Sequence, residues 1–146
     1  MIIQEKVQFE GDPEAVWGRL SDVERIPEFW HGTRSLTVLG REQKGPGRET
    51  VRARSKFAFG GGGEVAITSD DSTKTLTSEY TSGPFRGTQV VRVVGNSLEV
   101  DWEVNFTGLF KLTSSWSAGH FRSGTLHALE RLTAKESPTQ ASPSPG

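Results

Sequence analysis

A chain of 146 residues is the size of one domain and is long enough to bury a sizeable core. Its formal net charge of −1 does not favour nucleic acid or an anionic membrane surface, and the absence of cysteine excludes disulfides and thiol chemistry. No apolar run approaches the roughly 20 residues of a membrane span, so a soluble, cytoplasmic protein without integral membrane association is expected.

The first 30 residues predict one strand followed by two short helices. Ile2–Phe9 alternates apolar and polar side chains, as a half-buried strand does. Asp12 followed by Pro13 is a good helix start, because an N-cap precedes a proline at the first helical position. Ser21 and Glu24 form a capping box that begins the second helix.

The chain from residue 35 to residue 106 predicts an antiparallel meander of about six strands. The clearest strand alternates five apolar with four polar residues, so one face of the sheet is buried and the other is wet. The octapeptide Gly40–Gly47 is predicted as a turn, and Gly60–Gly63 as a flexible hairpin connection. The predicted strands are Ser35–Leu39, Glu49–Phe59, Glu64–Ser69, Lys74–Thr81, Phe85–Val94 and Leu98–Phe106.

A long helix is predicted over Leu109–Thr133, followed by a disordered Pro/Ser-rich tail over residues 136–146. One apolar arc of its helical wheel carries Leu109, Leu112, Trp116, His120 and His127, and a second carries Phe110, Phe121, Ala128 and Leu132. Small residues separate these arcs: Thr113, Ser117 and Gly124. The arc expected to face water carries Lys111, Ser115, Arg122 and Thr125, interrupted by Ala118 and Leu129.

Metal, cofactor and nucleic-acid sites are not predicted. The three histidines are too few and too widely spaced for a metal site, and Gly60–Gly63 lacks the Lys-Ser/Thr of a phosphate loop. The basic stripe of Arg52, Arg54 and Lys56 has no interleaved aromatic residues, and it is interpreted as a wet strand face paired with acids such as Glu64.

The order of strand, two short helices, six strands and a long helix resembles the helix-grip fold of the START/Bet v 1-like (SRPBCC) superfamily, which includes polyketide cyclase-like and coenzyme Q-binding proteins. Val7–Leu39 resembles the opening strand, D-P-x-x-V-W helix and second helix of that superfamily. His120–Leu132 resembles its closing helix. The resemblance implies an α+β domain over residues 1–135, in which a curved antiparallel sheet of about seven strands wraps the C-terminal helix.

The resemblance also implies a cavity between sheet and helix that takes a lipid, quinone, isoprenoid or polyketide-like molecule. His120 or Tyr80 could orient one polar end of such a ligand. Each lining aromatic residue could instead simply fill the core. The candidate lining residues are Phe29, Trp30, Phe57, Phe59, Ile67, Tyr80, Trp102, Phe106, Thr113, Trp116, Ser117 and His120.

Two functions of different classes follow, and a third stays open. The first is binding or transport of an apolar small molecule without catalysis, and this interpretation leads. The second is a cyclase/aromatase- or dehydratase-like enzyme, in which a desolvated Glu5 could act as a base or instead pair with a neighbouring Lys or Arg. The third is a partner-binding domain whose aromatic residues fill the cavity. A homodimer is also left open.

Overall fold

The computed structural model of the chain describes residues 1–107 and 114–134, and the side chains of residues 114–118 and 120 lie outside this description. Within these residues, seven strands and three α-helices follow one another, with a short 3-10 helix at Val23–Arg25 between the first two helices. The bounds are β1 Ile2–Gln8, α1 Pro13–Ser21, α2 Ile26–Phe29, β2 Thr33–Gly45, β3 Arg48–Phe57, β4 Gly62–Asp70, β5 Thr75–Tyr80, β6 Phe85–Val94, β7 Ser97–Phe106 and α3 Ser114–Thr133.

The seven strands form one curved antiparallel sheet in the order β1-β7-β6-β5-β4-β3-β2. Each strand from β2 to β7 pairs with its sequence neighbour, whereas β1 pairs with β7 at the far end of the chain. The α+β helix-grip architecture predicted from the element order is confirmed, including the strand number and the two short helices after the first strand.

One face of the sheet is buried, and the alternation of buried and more exposed residues along β7 identifies that face. Across the strands, Trp102 stands opposite Gln89, Gln89 opposite Ser78, and Ser78 opposite Ile67, so these residues share one face. Here we call it the inner face. The predicted inward residues of β7 are all buried: Leu98, Val100, Trp102, Val104 and Phe106.

Helices α1 and α2 attach to the C-terminal end of α3 through two arginines. The Arg19 guanidinium donates to the Leu132 carbonyl at 2.9 Å, and the Arg131 guanidinium donates to the Phe29 carbonyl at 2.8 Å. Each arginine thereby satisfies a backbone oxygen that would otherwise need another partner near a helix end. These bonds fix the end of α3 against the short helices.

The predicted wheel of α3 needs three corrections. Thr125, expected to face water, is buried, whereas His127 and Gly124, expected on or between the apolar arcs, are exposed. The buried stripe of α3 consists of residues spaced three or four apart, so they lie on a single face of the helix. Its buried members are Thr125, Ala128, Leu129 and Leu132, and Phe121, one turn earlier, is partly buried. The predicted helix residues 109–113 and the predicted tail 136–146 lie outside the described residues.

Two predicted connections are shorter than expected. Most of Gly40–Gly47 belongs to β2, and the β2–β3 hairpin turns at Pro46 and Gly47. Gly62 and Gly63 belong to β4, so only Gly60 and Gly61 of the glycine run lie in the turn. The sequence pattern misplaces both connections because glycine and polar residues are typical of turns. The same residue types also occur at exposed strand ends and where a strand lies close to another backbone segment.

Gly63 lies against the backbone of the β5–β6 connection. A Cβ atom at this position would collide with the carbonyl oxygen of Ser82, and one at Gly62 would lie 2.5 Å from the carbonyl oxygen of Ser55. Gly87 on β6, with φ +142°, is restricted in the same way by the carbonyl oxygen of Glu103. These glycines permit backbone contact that any side chain would prevent.

Replacing Gly63 by alanine is expected to lower the free energy of unfolding by about 2 kcal/mol or more, since backbone atoms would have to move. Gly18→Ala is the matched control: Gly18 is exposed inside α1 with open space around it, so alanine should stabilise the helix by about 0.5–1 kcal/mol. Urea denaturation of both variants measures the effects. Equal stability of Gly63→Ala and the unchanged protein would contradict the close approach.

Candidate functional site

An aromatic cluster occupies the inner face where the sheet meets α3. Phe85 lies at its centre, with ring centroids 5.0 Å from Phe57, 4.8 Å from Tyr80 and 5.1 Å from Phe121. Phe121 comes from α3 and also lies 5.1 Å from Trp102. The cluster therefore joins strands β3, β5, β6 and β7 to the helix. It presents the large apolar surface that a small-molecule site requires.

Four rings of this neighbourhood keep accessible surface although they contact buried rings. Trp30 and Tyr80 both contact Trp102, at 6.3 and 5.9 Å, while Phe59 stacks on Phe57 at 5.4 Å. These three residues and Phe121 are partly exposed, whereas Phe57 and Trp102 are buried. The partly exposed rings thus leave apolar surface that a ligand could cover.

Tyr80 combines accessible surface with a desolvated hydroxyl. Burial raises the pKa of this hydroxyl well above its ordinary value of 10.0, so it stays protonated at neutral pH. The side chain is nevertheless only partly buried, so part of its surface stays accessible. The Tyr80 hydroxyl makes no hydrogen bond to another described residue.

Two polar side chains, Ser78 and Gln89, are buried beside Tyr80 on neighbouring strands. They are 3% and 5% exposed and stand directly opposite each other on β5 and β6. Neither makes a side-chain hydrogen bond within the described part of the chain. In that same part, every side-chain nitrogen or oxygen that is closed off from accessible surface has a partner. The polar atoms of Ser78 and Gln89 therefore retain a small accessible surface.

The inner face is joined to α3 by one buried hydrogen bond. The Trp102 indole N–H donates to the Thr125 Oγ1 at 2.9 Å, and both residues are buried. This bond explains why Thr125 faces the sheet rather than water, because the indole nitrogen needs an acceptor when it is buried. It joins β7 to α3 beside the aromatic cluster.

An ion pair joins the edge strand to α3. The carboxylate of Glu5 lies 3.2 Å from the Arg122 guanidinium, and the two side chains are 21% and 58% exposed. The alternative in which strand-one glutamate pairs with a neighbouring cation is the one that the structure shows. Glu5 is therefore not an unpaired, desolvated base.

Twelve residues were predicted from the sequence to line the cavity. Eight of them are described, and these lie on the inner side of the sheet or at its rim. Of these, five are buried and three are partly exposed: Phe29, Phe57, Ile67, Trp102 and Phe106, then Trp30, Phe59 and Tyr80. Thr113 lies outside the described residues, and the side chains of Trp116, Ser117 and His120 are not described.

Sequence reasoning missed Ser78, Gln89 and Thr125. Ser78 lies between Leu76 and Tyr80 in the alternation of β5, which marks it as inward, and a parity count would have found it. Gln89 precedes a run of valines on β6, and its face follows only from its register with Trp102. All three were missed because polar residue types are usually assigned to water.

A separate open depression of about 550 Å³ lies at the end of the β3–β4 hairpin. It is lined by Arg54, Ser55, Lys56, residues 61–63, Glu64 and Ser82. Arg54 and Glu64 neutralise each other across it at 3.3 Å, which agrees with the predicted pairing of the basic stripe. The depression faces solvent and lacks the aromatic walls of the inner face.

Neither a metal cluster nor a membrane helix is found within the described residues. No three His, Cys, Asp or Glu residues among them lie close enough to hold a metal ion. None of the helices described is both long and apolar enough to span a bilayer.

A family model described as polyketide cyclase / dehydrase and lipid transport matches residues 10–133. A search of curated protein sequences finds no significant match.

Solved structures share the fold at low sequence identity. The protein TTHA0849 from Thermus thermophilus matches with a TM-score of 0.68 and 16% identity, covering 91% of this chain and 94% of its own. A START superfamily protein from Mycobacterium smegmatis matches with 0.65 and 17%, covering 90% and 99%. The ZhuI aromatase/cyclase from Streptomyces sp. R1128 matches with 0.56 and 15%, covering 92% and 96%. Identities this low show a common fold and leave the function open.

Proposed function

Because the chain belongs to the polyketide cyclase / dehydrase and lipid transport family, whose fold binds hydrophobic ligands, we propose that it binds or carries an apolar small molecule between the inner face and α3. The ligand classes proposed are a lipid, quinone, isoprenoid or polyketide-like molecule. The observation that carries the proposal is the group of partly exposed aromatic rings on the inner face, beside the buried polar side chains of Ser78 and Gln89.

Apolar burial would supply most of the binding free energy. Ligand surface removed from water contributes about 25 cal/mol per Å², and the partly exposed rings of Trp30, Phe59, Tyr80 and Phe121 offer such surface. Part of this gain offsets the lost freedom of the ligand. The polar groups beside the rings then orient one end of the ligand, as in other small-molecule sites.

Binding without catalysis is favoured over a cyclase- or dehydratase-like reaction. Of the three acid–base candidates from the sequence, Glu5 is held by Arg122, and Tyr80 keeps its proton because burial raises the pKa of its hydroxyl. The third, His120, has no described side chain. A protonated phenol can donate a hydrogen bond to a ligand oxygen, which suits orientation better than proton abstraction.

Native mass spectrometry of gently purified protein, followed by solvent extraction, tests the proposal. The expected result is a reproducible co-purifying apolar molecule. The Tyr80→Phe variant should retain it about 2–10-fold less tightly, because one neutral hydrogen bond contributes roughly 0.5–1.5 kcal/mol.

Thr77→Val is the matched control for this variant. It removes one hydroxyl from the same strand, but position 77 alternates with Ser78 and Tyr80 and so lies on the opposite face. Ligand retention should be unchanged in this control. Protein that purifies without a bound molecule, and that also fails to bind added apolar probes, would contradict the proposed function.

The remaining sequence-based predictions stay proposals. They are a cytoplasmic location, a possible homodimer, and lining roles for Thr113, Trp116, Ser117 and His120 on the C-terminal helix.

A further inference from the structure

Building on the proposed function, we propose that the buried end of the ligand is uncharged and carries a hydroxyl or carbonyl oxygen, which Ser78 and Gln89 hold. The proposal concerns the chemical class that this chain selects, and it stands on the position of these two side chains in the sheet.

The two side chains form a pair across neighbouring strands. Ser78 on β5 is directly opposite Gln89 on β6, and adjacent strands lie about 4.8 Å apart. Tyr80 follows Ser78 on the same face, about 7 Å further along β5. Three polar groups therefore meet within the reach of one functional end of a small molecule.

The hydrogen-bonding capacity of this group matches a neutral oxygen. The Gln89 amide offers both donors and an acceptor, the Ser78 hydroxyl can donate or accept, and the protonated Tyr80 hydroxyl can donate. A ligand hydroxyl could use donors and acceptors together, and a carbonyl could use the donors. Ser78 and Gln89 are more than nine-tenths buried, and a ligand oxygen would supply the hydrogen bonds that they do not make to described residues.

Among the described residues, no strand neighbour of the pair would supply a counter-charge to a charged ligand end. The same-face neighbours of the pair along and across the strands are all uncharged: Ile67, Leu76, Tyr80, Gly87, Val91 and Trp102. The nearest inner-face carboxylate on β1, that of Glu5, is already paired with Arg122. Since an isolated charge is expensive to bury, this arrangement disfavours a carboxylate, phosphate or ammonium end.

Two probes of equal chain length test the inference: decan-1-ol and decanoate, titrated at neutral pH into the full chain by isothermal titration calorimetry. The flexible chain of each probe can adapt to the shape of the apolar space. We expect decan-1-ol to bind at least about tenfold more tightly than decanoate. In Gln89→Leu and in Ser78→Ala, the affinity for decan-1-ol should fall about 2–10-fold while that for decanoate stays unchanged.

The two variants also report on folding, because removing an unpaired buried polar group should leave the melting temperature unchanged or raise it. Gln8→Leu, at an exposed position of β1, is the matched control and should bind both probes as the unchanged protein does.

Other outcomes separate the inference from the proposed function. Decanoate binding as tightly as decan-1-ol, or decan-1-ol affinity that is the same in Gln89→Leu and Ser78→Ala as in the unchanged protein, would overturn the inference and leave apolar binding standing. Binding of neither probe would overturn both.

Discussion

Replacing Phe85 by alanine is expected to lower the free energy of unfolding by about 3–5 kcal/mol. Phe85 is 2% exposed and contacts rings from three other strands and from α3. Removing its ring deletes apolar burial and leaves a cavity that these rigidly held neighbours cannot fill by relaxing. In a domain of this size, such a loss is a large share of the total stability.

Urea denaturation monitored by circular dichroism measures this effect. Phe59→Ala is the matched control. Phe59 lies beyond the end of β3 and stacks on Phe57, but part of its side chain is exposed. That variant should lose no more than about 2 kcal/mol. A Phe85→Ala variant as stable as Phe59→Ala would show that the aromatic cluster is not the centre of the core.

The second large effect concerns the bond between Trp102 and Thr125. Thr125→Val should cost about 1–3 kcal/mol, because it leaves the buried indole N–H of Trp102 without an acceptor while barely changing the volume. Trp102→Phe removes the donor together with part of the ring, and so costs packing as well.

The double variant distinguishes this bond from simple packing. Once Trp102 is phenylalanine, the change of Thr125 to valine should cost little, because no indole N–H remains to be satisfied. The double-mutant cycle in urea should therefore show a coupling of about 1 kcal/mol or more. Strictly additive effects would mean that the hydrogen bond does not join the sheet to the helix in solution.

The sheet could be predicted because its strands alternate strongly. The inward residues of β7 are all apolar, and two of the polar residues between them pair with opposite charges: Glu99 with Lys6 at 3.8 Å and Asp101 with Arg92 at 3.0 Å. A one-residue shift would expose the whole apolar set, so the pattern identifies the buried face without knowledge of the partners.

The polar part of the site could not be predicted, because burial there depends on register rather than on residue type. Thr125 looks like a surface residue until Trp102 stands opposite it, and Gln89 looks like a strand edge residue until Ser78 and Trp102 flank it. Hydropathy patterns assign such side chains to water. Only the pairing of distant segments shows which buried polar groups lack partners.

The sheet order has a consequence for how the chain reaches this structure. Strands β2 to β7 can form as a series of local hairpins, each closing a short loop, whereas Ile3 must find Trp102 across nearly the whole chain. Closing long loops is slower than closing short ones, so β1 is expected to join the sheet late in folding. Local opening that reverses this step would detach β1, and Glu5 with it, from α3 while the meander stays intact. We therefore expect the edge strand β1 to be the first strand of the sheet to unfold locally.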